Sequence, residues 1–412
     1  MSKKLIVGLV VFSMLVSVIG TVIFAEETVR LSGWVSSPEE TKLLKKLLKS
    51  FEDEHPNINV KYEPISGNYM QKIQTMLAAG NAPDVFYLDS SEAPTLMNSG
   101  ALQPLDKYIE ETNFNLDDFS DSLLNGFTWK GSVYGLPKDV STLALFYNKE
   151  LFDKAGVEYP DKSWTWQDYI SAGKKITKDT DDDGEIDQWG MVLNANLSRF
   201  LPFVYQNEGK FIDVEKSKMV AGQNALEALE FYSNLKNKYE IATTPSGVGA
   251  QWLGDALAKG NVGMVLTGNW TIPYMENNAP KVEYGTAVLP KKKQRATLAF
   301  TVGYVIPKQS NKKEAAWKLL SYLTGKEGMR KWTNLGLALP SRHSVMESFK
   351  YQDDPLRQAL IDGIDHAHPW QFVPGFGPVL DTINSELQAV MLNGKDPEKA
   401  IKAIREKGNK EL

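Results

Sequence analysis

From residue 28 onward, short apolar runs alternate with stretches in which apolar residues recur every three or four positions. Val29-Arg30-Leu31-Ser32-Gly33-Trp34 reads as a first strand. In the next stretch Ser37 is placed to cap, Pro38 suits the first helical position and Glu40 completes a capping box. Leu43, Leu44, Leu47, Leu48 and Phe51 then fall on one face, so a helix is predicted that ends at His55-Pro56-Asn57. A second strand is expected over 59–65, a helix from Tyr69 to Ala79, and a buried strand over 84–89 after the breaker Gly80-Asn81-Ala82-Pro83.

This strand–helix alternation predicts an α/β fold with a mostly parallel sheet. It returns at Val262–Leu266, after a helix around Gln251 to Ala258, and again at Thr301–Ile306. The intervening 163–258 reads as mainly helical, as does the tail over 378–407. There is no internal repeat and no low-complexity tract.

The amino terminus breaks this pattern. Lys3 and Lys4 precede an apolar run from Leu5 to Phe24 that ends at Ala25 before Glu26-Glu27, the layout of a secretory signal peptide over 1–25. The alternative is an uncleaved anchor, since the run approaches the roughly 20 residues a bilayer core requires. Gly8, Ser13, Ser17, Gly20 and Thr21 dilute it, and no basic stop-transfer cluster follows, which favours cleavage. The sequence contains no cysteine, so disulfides, a thiol nucleophile and a lipid-modified cysteine are all ruled out. A secreted, periplasmic protein without a lipid anchor is the expectation.

The 412 residues are too many for one ordinary core, so two domains are expected. The 51 acidic side chains outnumber the 46 basic ones, and loss of Lys3 and Lys4 with the leader moves the net charge from −5 to −7. Such a balance gives no reason to expect nucleic acid or anionic lipid as partner, and on charge alone a neutral or cationic ligand fits better. Ten tryptophans and sixteen tyrosines serve equally as core filler or as flat ligand platforms.

Several landmarks occur in a recognisable order: GNAPDVFYLD from Gly80, YGLPKDVSTLALFYNKELFDKAGV from Tyr134, SWTWQDY from Ser163, DTDDDGEIDQWG from Asp179, GMVLTGNW from Gly263, and GYVIPKQSNKKEAAWKLLSYLTGKEGMRKW from Gly303. Together they resemble the carbohydrate-binding extracellular solute-binding proteins of ABC importers, the maltose-binding-protein-like family, over nearly the whole mature chain. The resemblance implies a class II periplasmic-binding-protein fold with two discontinuous lobes, 26–139 with 290–338 and 140–289 with 339–412. Crossovers are implied near Asp139 to Thr142, near Pro290, and near Ala338 to Arg342. It further implies a non-enzymatic monomer that closes around a di- or oligosaccharide and passes it to ABC transporter permease subunits, with no organic cofactor.

A sugar presents apolar C–H faces and an edge of hydroxyls, so aromatic platforms and convergent carboxylates at the carboxyl ends of strands are the candidate binding groups. Trp270, after Thr267-Gly268-Asn269, is the first candidate, and Trp34 occupies the analogous place after the first strand. Asp89 and Ser91 follow the strand beginning at Val85, where Asp89 serves either to bind hydroxyls or to cap the next helix. Asp139 and Ser141 lie at the implied first crossover, where Asp139 either binds ligand or forms a hinge ion pair. Gly303 and Tyr304 stand where related proteins bring backbone close to ligand, although Gly303 also reads as a plain strand glycine. Trp370, Phe376 and Asp381 belong to a late aromatic segment that similar proteins use to close over the site. Trp166, Trp317 and Trp332 are assigned to structure.

Asp179, Asp181, Asp183 and Asp187, with Gly184 between them, have the spacing of a Ca²⁺ loop, but position twelve is Gly190 rather than a bidentate acid. The other reading is a solvated turn held by Asx bonds. A secreted glycoside hydrolase is the competing class, although no Gly-x-Ser-x-Gly elbow or His-Glu-x-x-His motif is present. A polyol, glycerol phosphate or a peptide are the other ligands considered.

Overall fold

The computed structural model describes residues 27–34, 38–334, 336, 338–349, 354–370 and 372–412. The signal peptide expected over 1–25, and Ser37 of the expected capping box, lie outside the described residues. Among the described residues no helix is long and apolar enough to cross a membrane.

Among the described residues ten strands join into one sheet, beside two separate two-stranded hairpins at 128–133 and 212–219. The ten are β1 (Glu27–Ser32), β2 (Ile58–Tyr62), β3 (Val85–Asp89), β4 (Gly135–Asn148), β5 (Trp189–Val192), β6 (Ala242–Thr243), β7 (Val262–Gly268), β8 (Tyr284–Ala287), β9 (Thr297–Val305) and β10 (Ala367–Pro369). Their order is β6-β5-β7-β4-β9-β3-β1-β2, with β8 paired to β4 and β10 to β9. Both wings are parallel, as the strand–helix alternation requires, but the centre is antiparallel: β3 to β9, β9 to β4 and β4 to β7.

The amphipathic stripe on Leu44, Leu47, Leu48 and Phe51 is buried, and its helix spans Pro38–Glu54. This face joins β1, β3, the start of β4, the end of β9 and the helix Lys313–Thr324 in a first core. A second core gathers the end of β4, the helices Trp166–Ile176, Leu197–Gln206, Gln223–Asn237, Gly377–Asn393 and Pro397–Glu411, and Trp370, Phe372, Val373 and Phe376. A third cluster covers the other face of the second wing, around Val265, Ile272 and Leu360.

All fourteen residues of β4 are buried, so its side chains show no alternation of a core face with a solvent face. Along it the partner changes. Gly135 to Thr142 pair with β9, and Leu143 to Tyr147 pair with β7. β9 travels the opposite way, from Leu298 in the second core to Tyr304 and Val305 in the first. A third segment lies beside them, because Val140 and Leu339 exchange both backbone hydrogen bonds at 2.9 and 2.8 Å, and Ser341 Oγ donates to the Pro137 carbonyl at 2.7 Å. Residues near Pro290 stay with the second core: Lys291 N bonds the Trp164 carbonyl and Lys293 N the Gln206 carbonyl.

Trp166, Trp317 and Trp332 are buried. Trp166 opens its helix behind a capping box of Thr165 and Asp168, and its ring stacks on Phe231 at 4.0 Å.

Candidate functional site

Where β7 ends, the backbone turns directly into the helix Thr271–Asn278, leaving Trp270 half-buried at the turn. Its indole folds back over Gly268: a Cβ there would sit 2.4 Å from the ring and 2.9 Å from Ser141 Oγ, so only glycine permits this placement. Ser141 Oγ accepts the Asn269 backbone N–H at 3.0 Å and thereby fixes the turn to β4. Trp270 meets Phe300 edge-on, with ring centroids 6.1 Å apart. Phe300 leads to Trp370 at 5.6 Å, Trp370 to Phe372 at 4.7 Å, and Phe372 stacks on Phe376 at 4.0 Å. Trp270 and Phe300 keep exposed surface, whereas Trp370 and Phe376 are buried behind them.

The guanidinium of Arg199 lies 5.8 Å from the Trp270 ring centroid and 5.9 Å from that of Phe300. Its Nε donates to the Leu266 carbonyl at 3.1 Å and Nη1 to Ser198 Oγ at 2.9 Å. Burial pushes its pKa down to about 10.

A second group of candidates stands at the carboxyl ends of β1 and β3. Trp34 is half-buried, edge-on to Tyr69 at 5.3 Å and to Tyr87 at 5.4 Å. Asp89 Oδ1 accepts Ser91 N at 2.9 Å and Ser91 Oγ at 2.5 Å, while Oδ2 makes no hydrogen bond among the described residues. Removal from water raises the Asp89 pKa, against the lowering effect of the Ser91 donors and with a further push from Asp139. Glu92 is raised as well, by burial and then by the charge on Asp89.

On β4, Lys138 Nζ and Asp139 Oδ2 form a buried ion pair at 2.6 Å. Lys138 lies 4.0 Å from the Trp332 ring centroid and 4.9 Å from that of Tyr87, and Trp332 Nε1 donates to Asp139 Oδ2 at 3.3 Å. The ion-pair reading of Asp139 is the one the structure shows, with Oδ2 held by both Lys138 and Trp332.

Contacts link Asp89, Ser91, Asp139, Ser141, Trp270 and Trp370 into one region around the β4–β9 crossing, with Trp34 at the neighbouring strand end. Gly303 and Tyr304 fall elsewhere. The Tyr304 ring is buried in the first core, edge-on to Tyr87 at 5.3 Å, and a Cβ on Gly303 would stand 2.7 Å from the buried Phe127 ring. Asp381 is exposed on the helix Gly377–Asn393. Arg199 and Phe300 were not picked out from sequence. Arg199 follows β5, a four-residue strand inside a stretch read as helical, and Phe300 lies one residue before the start expected for its strand.

In the acidic turn, carboxylate oxygens of Asp179, Asp181 and Asp187 lie within 4.8 Å of one another. Asp179 Oδ2 accepts Gly184 N at 2.8 Å, and its Oδ1 is shielded from solvent with no partner. Asp183 turns instead to the Glu185 N–H at 2.8 Å, and Asp187 binds the backbone and hydroxyl of Thr180. Position twelve is glycine for a packing reason: a Cβ on Gly190 would meet the Gly173 carbonyl at 2.5 Å.

Known proteins share this architecture. The Arabinooligosaccharide-binding protein of Halalkalibacterium halodurans is 26% identical, over 82% of this chain and 76% of its own length. An ABC substrate-binding protein from Listeria monocytogenes, solved in complex with cycloalternan, superposes with a TM-score of 0.84 at 28% identity, covering 93% of this chain and 98% of that one. An ABC transporter solute-binding protein from Thermotoga lettingae, bound with α-D-tagatose, gives a TM-score of 0.82, again at 28% identity, covering 93% and 99%. The family model for bacterial extracellular solute-binding proteins matches residues 46–359, most of the length of the chain, and this protein belongs to that family.

Proposed function

We propose that this protein captures a sugar, a di- or oligosaccharide, between its two walls and delivers it to the membrane subunits of an ABC transporter. The observation that carries this reading is the half-exposed Trp270 ring at the end of β7, placed across the β4–β9 crossing from the open Oδ2 of Asp89. A stacking face and a hydroxyl acceptor on separate walls give a saccharide something to hold on each, so binding favours the arrangement in which the walls approach. Relatives of the same family are named for, or were solved with, sugars.

In this reading Trp270, Trp34, Asp89, Ser91, Asp139 and Ser141 touch or orient the ligand. Trp370 and Phe376 back that surface, whereas Gly303 and Tyr304 belong to the first core and Asp381 to the exposed side of the helix Gly377–Asn393. The proposed lobes are 26–139 with 290–338 and 140–289 with 339–412, except that the segment from Pro290 to Leu298 packs with the second. The chain works as a monomer outside the cytoplasmic membrane after loss of residues 1–25, and it retains its ligand unchanged. Asp179, Asp181 and Asp187 supply a weak structural Ca²⁺ site, with Asp183 held back by its bond to Glu185.

Titration calorimetry against mono-, di- and trisaccharides tests the binding reading. Stoichiometric retention of one sugar without product is expected. Turnover of labelled maltooligosaccharides would instead support a glycoside hydrolase.

A further inference from the structure

Arg199 is in an expensive position. It lies in the first turn of the helix Leu197–Gln206, at the positive end of the helix dipole, where a cation is disfavoured. Burial adds to the cost by lowering its pKa to about 10. Among the described residues no carboxylate pairs with it, and its hydrogen-bond partners are the neutral Leu266 carbonyl and the Ser198 hydroxyl. The guanidinium is nevertheless kept beside Trp270 and Phe300, whose rings both retain exposed surface. Nη2 makes no protein hydrogen bond among the described residues and is not among the polar atoms shut away from solvent. One edge of the fork is therefore open.

Closure of the walls over a neutral sugar would strip water from this cation and supply only hydroxyl acceptors. An uncompensated buried charge is costly, whereas a carboxylate meets the planar fork with charge-assisted hydrogen bonds and cancels the charge. The net negative charge of the chain does not oppose this, because exposed charges beyond about 8–10 Å are screened. Asp89 and Glu92 belong to the other wall, where they suit the hydroxyl edge of the same ligand.

We propose that the ligand is an acidic saccharide, one of whose sugar units carries a carboxylate that pairs with Arg199. The proposal rests on the binding reading above and narrows it to uronate-containing sugars.

The test is calorimetry on the mature chain with disaccharide pairs that differ only at C6, carboxylate against hydroxymethyl, in the galacto, gluco and manno series, with inorganic phosphate as a separate ligand. For at least one pair the uronate should bind about tenfold or more tighter than its neutral partner. Arg199→Gln should reduce that preference to within about twofold, and Arg199→Lys should keep part of it. Circular dichroism checks the fold of each variant, and Arg199→Lys decides the case should Arg199→Gln not fold. Equal or tighter binding of every neutral partner overturns the acidic-ligand proposal and leaves the sugar-binding reading intact. A preference that survives Arg199→Gln overturns the role of Arg199. Phosphate binding without any uronate preference also overturns the proposal, and failure of every saccharide removes both readings.

Discussion

Ser90 Oγ donates a 2.8 Å hydrogen bond to the backbone oxygen of Trp370, 280 positions later in the chain. Ser90 follows β3 of the first core, whereas Trp370 packs in the second. A companion bond runs from Gly375 N to Thr95 Oγ1 at 3.1 Å. Both cross from one body to the other, so they exist only when the walls are near, and each contributes about 1 kcal/mol to that arrangement. Ser90→Ala combined with Thr95→Val should therefore enlarge the ligand-free radius of gyration in X-ray scattering and weaken sugar binding by up to about 30-fold. Scattering curves and affinities that match the parent would remove the clasp.

Trp270→Ala should weaken retention of the best sugar at least about tenfold with the melting temperature nearly unchanged, because a half-exposed ring contributes more to a ligand than to the core. Gly268→Ala should do the same by displacement, since its Cβ would sit 2.4 Å from the indole. Undiminished affinity in Trp270→Ala would take this residue out of the site.

Gly303→Ala makes a contrasting case. Its Cβ would approach three Phe127 ring carbons at 2.7–3.0 Å, and Phe127 is fully buried and has nowhere to go. Urea unfolding should show a loss of about 1–3 kcal/mol, with the affinity of the folded protein preserved. A normal unfolding midpoint with lost binding would place Gly303 at the ligand after all.

Local pattern carried the wings of the sheet but not its centre. The stripe from Leu43 to Phe51 and the run from Val85 to Asp89 are amphipathic or apolar over lengths that identify them, and both elements form where expected. β4 hides because a strand covered on both faces has no alternation to read. β5 and β6, of four and two residues, are too short to stand out within a helical stretch. Trp270 and Asp89 stand out as candidates because glycine or a polar residue at a strand end is visible locally. Arg199 does not, since its neighbours Trp270 and Phe300 meet it only through the antiparallel centre.

Asp89 links binding to pH. Its folded pKa is raised, so the native state holds the proton more tightly than the unfolded chain does. The stability this contributes is fully present below the unfolded value, about 3.9, and is lost as pH rises through the folded value. At neutral pH the ionised, desolvated carboxylate is a net cost. Asp89→Asn should raise the ligand-free melting temperature at pH 7, and the gain should shrink as the solution is acidified toward the raised value. The same variant should bind sugar more weakly, having exchanged a charged acceptor for a neutral one. A melting temperature that falls at pH 7 would contradict the burial argument.

The acidic turn at 179–187 separates from all of this by distance along the fold and by chemistry. Three carboxylates, of Asp179, Asp181 and Asp187, converge within 4.8 Å, and one oxygen of Asp179 has no protein partner. A fourth ligand at position twelve is sterically barred, because Gly190 packs on the Gly173 carbonyl. A site with this few charged ligands falls in the weak range typical of extracellular modules, about 10⁻⁴–10⁻³ M. Calcium at about ten times such a Kd adds roughly 1.4 kcal/mol, enough for a resolvable rise in melting temperature that EDTA reverses. Asp181→Asn should abolish the rise without affecting sugar binding, since the turn contributes nothing to the cleft. Identical melting curves with calcium and with EDTA would leave the turn held by its own bonds, Gly184 N to Asp179 and Thr180 to Asp187.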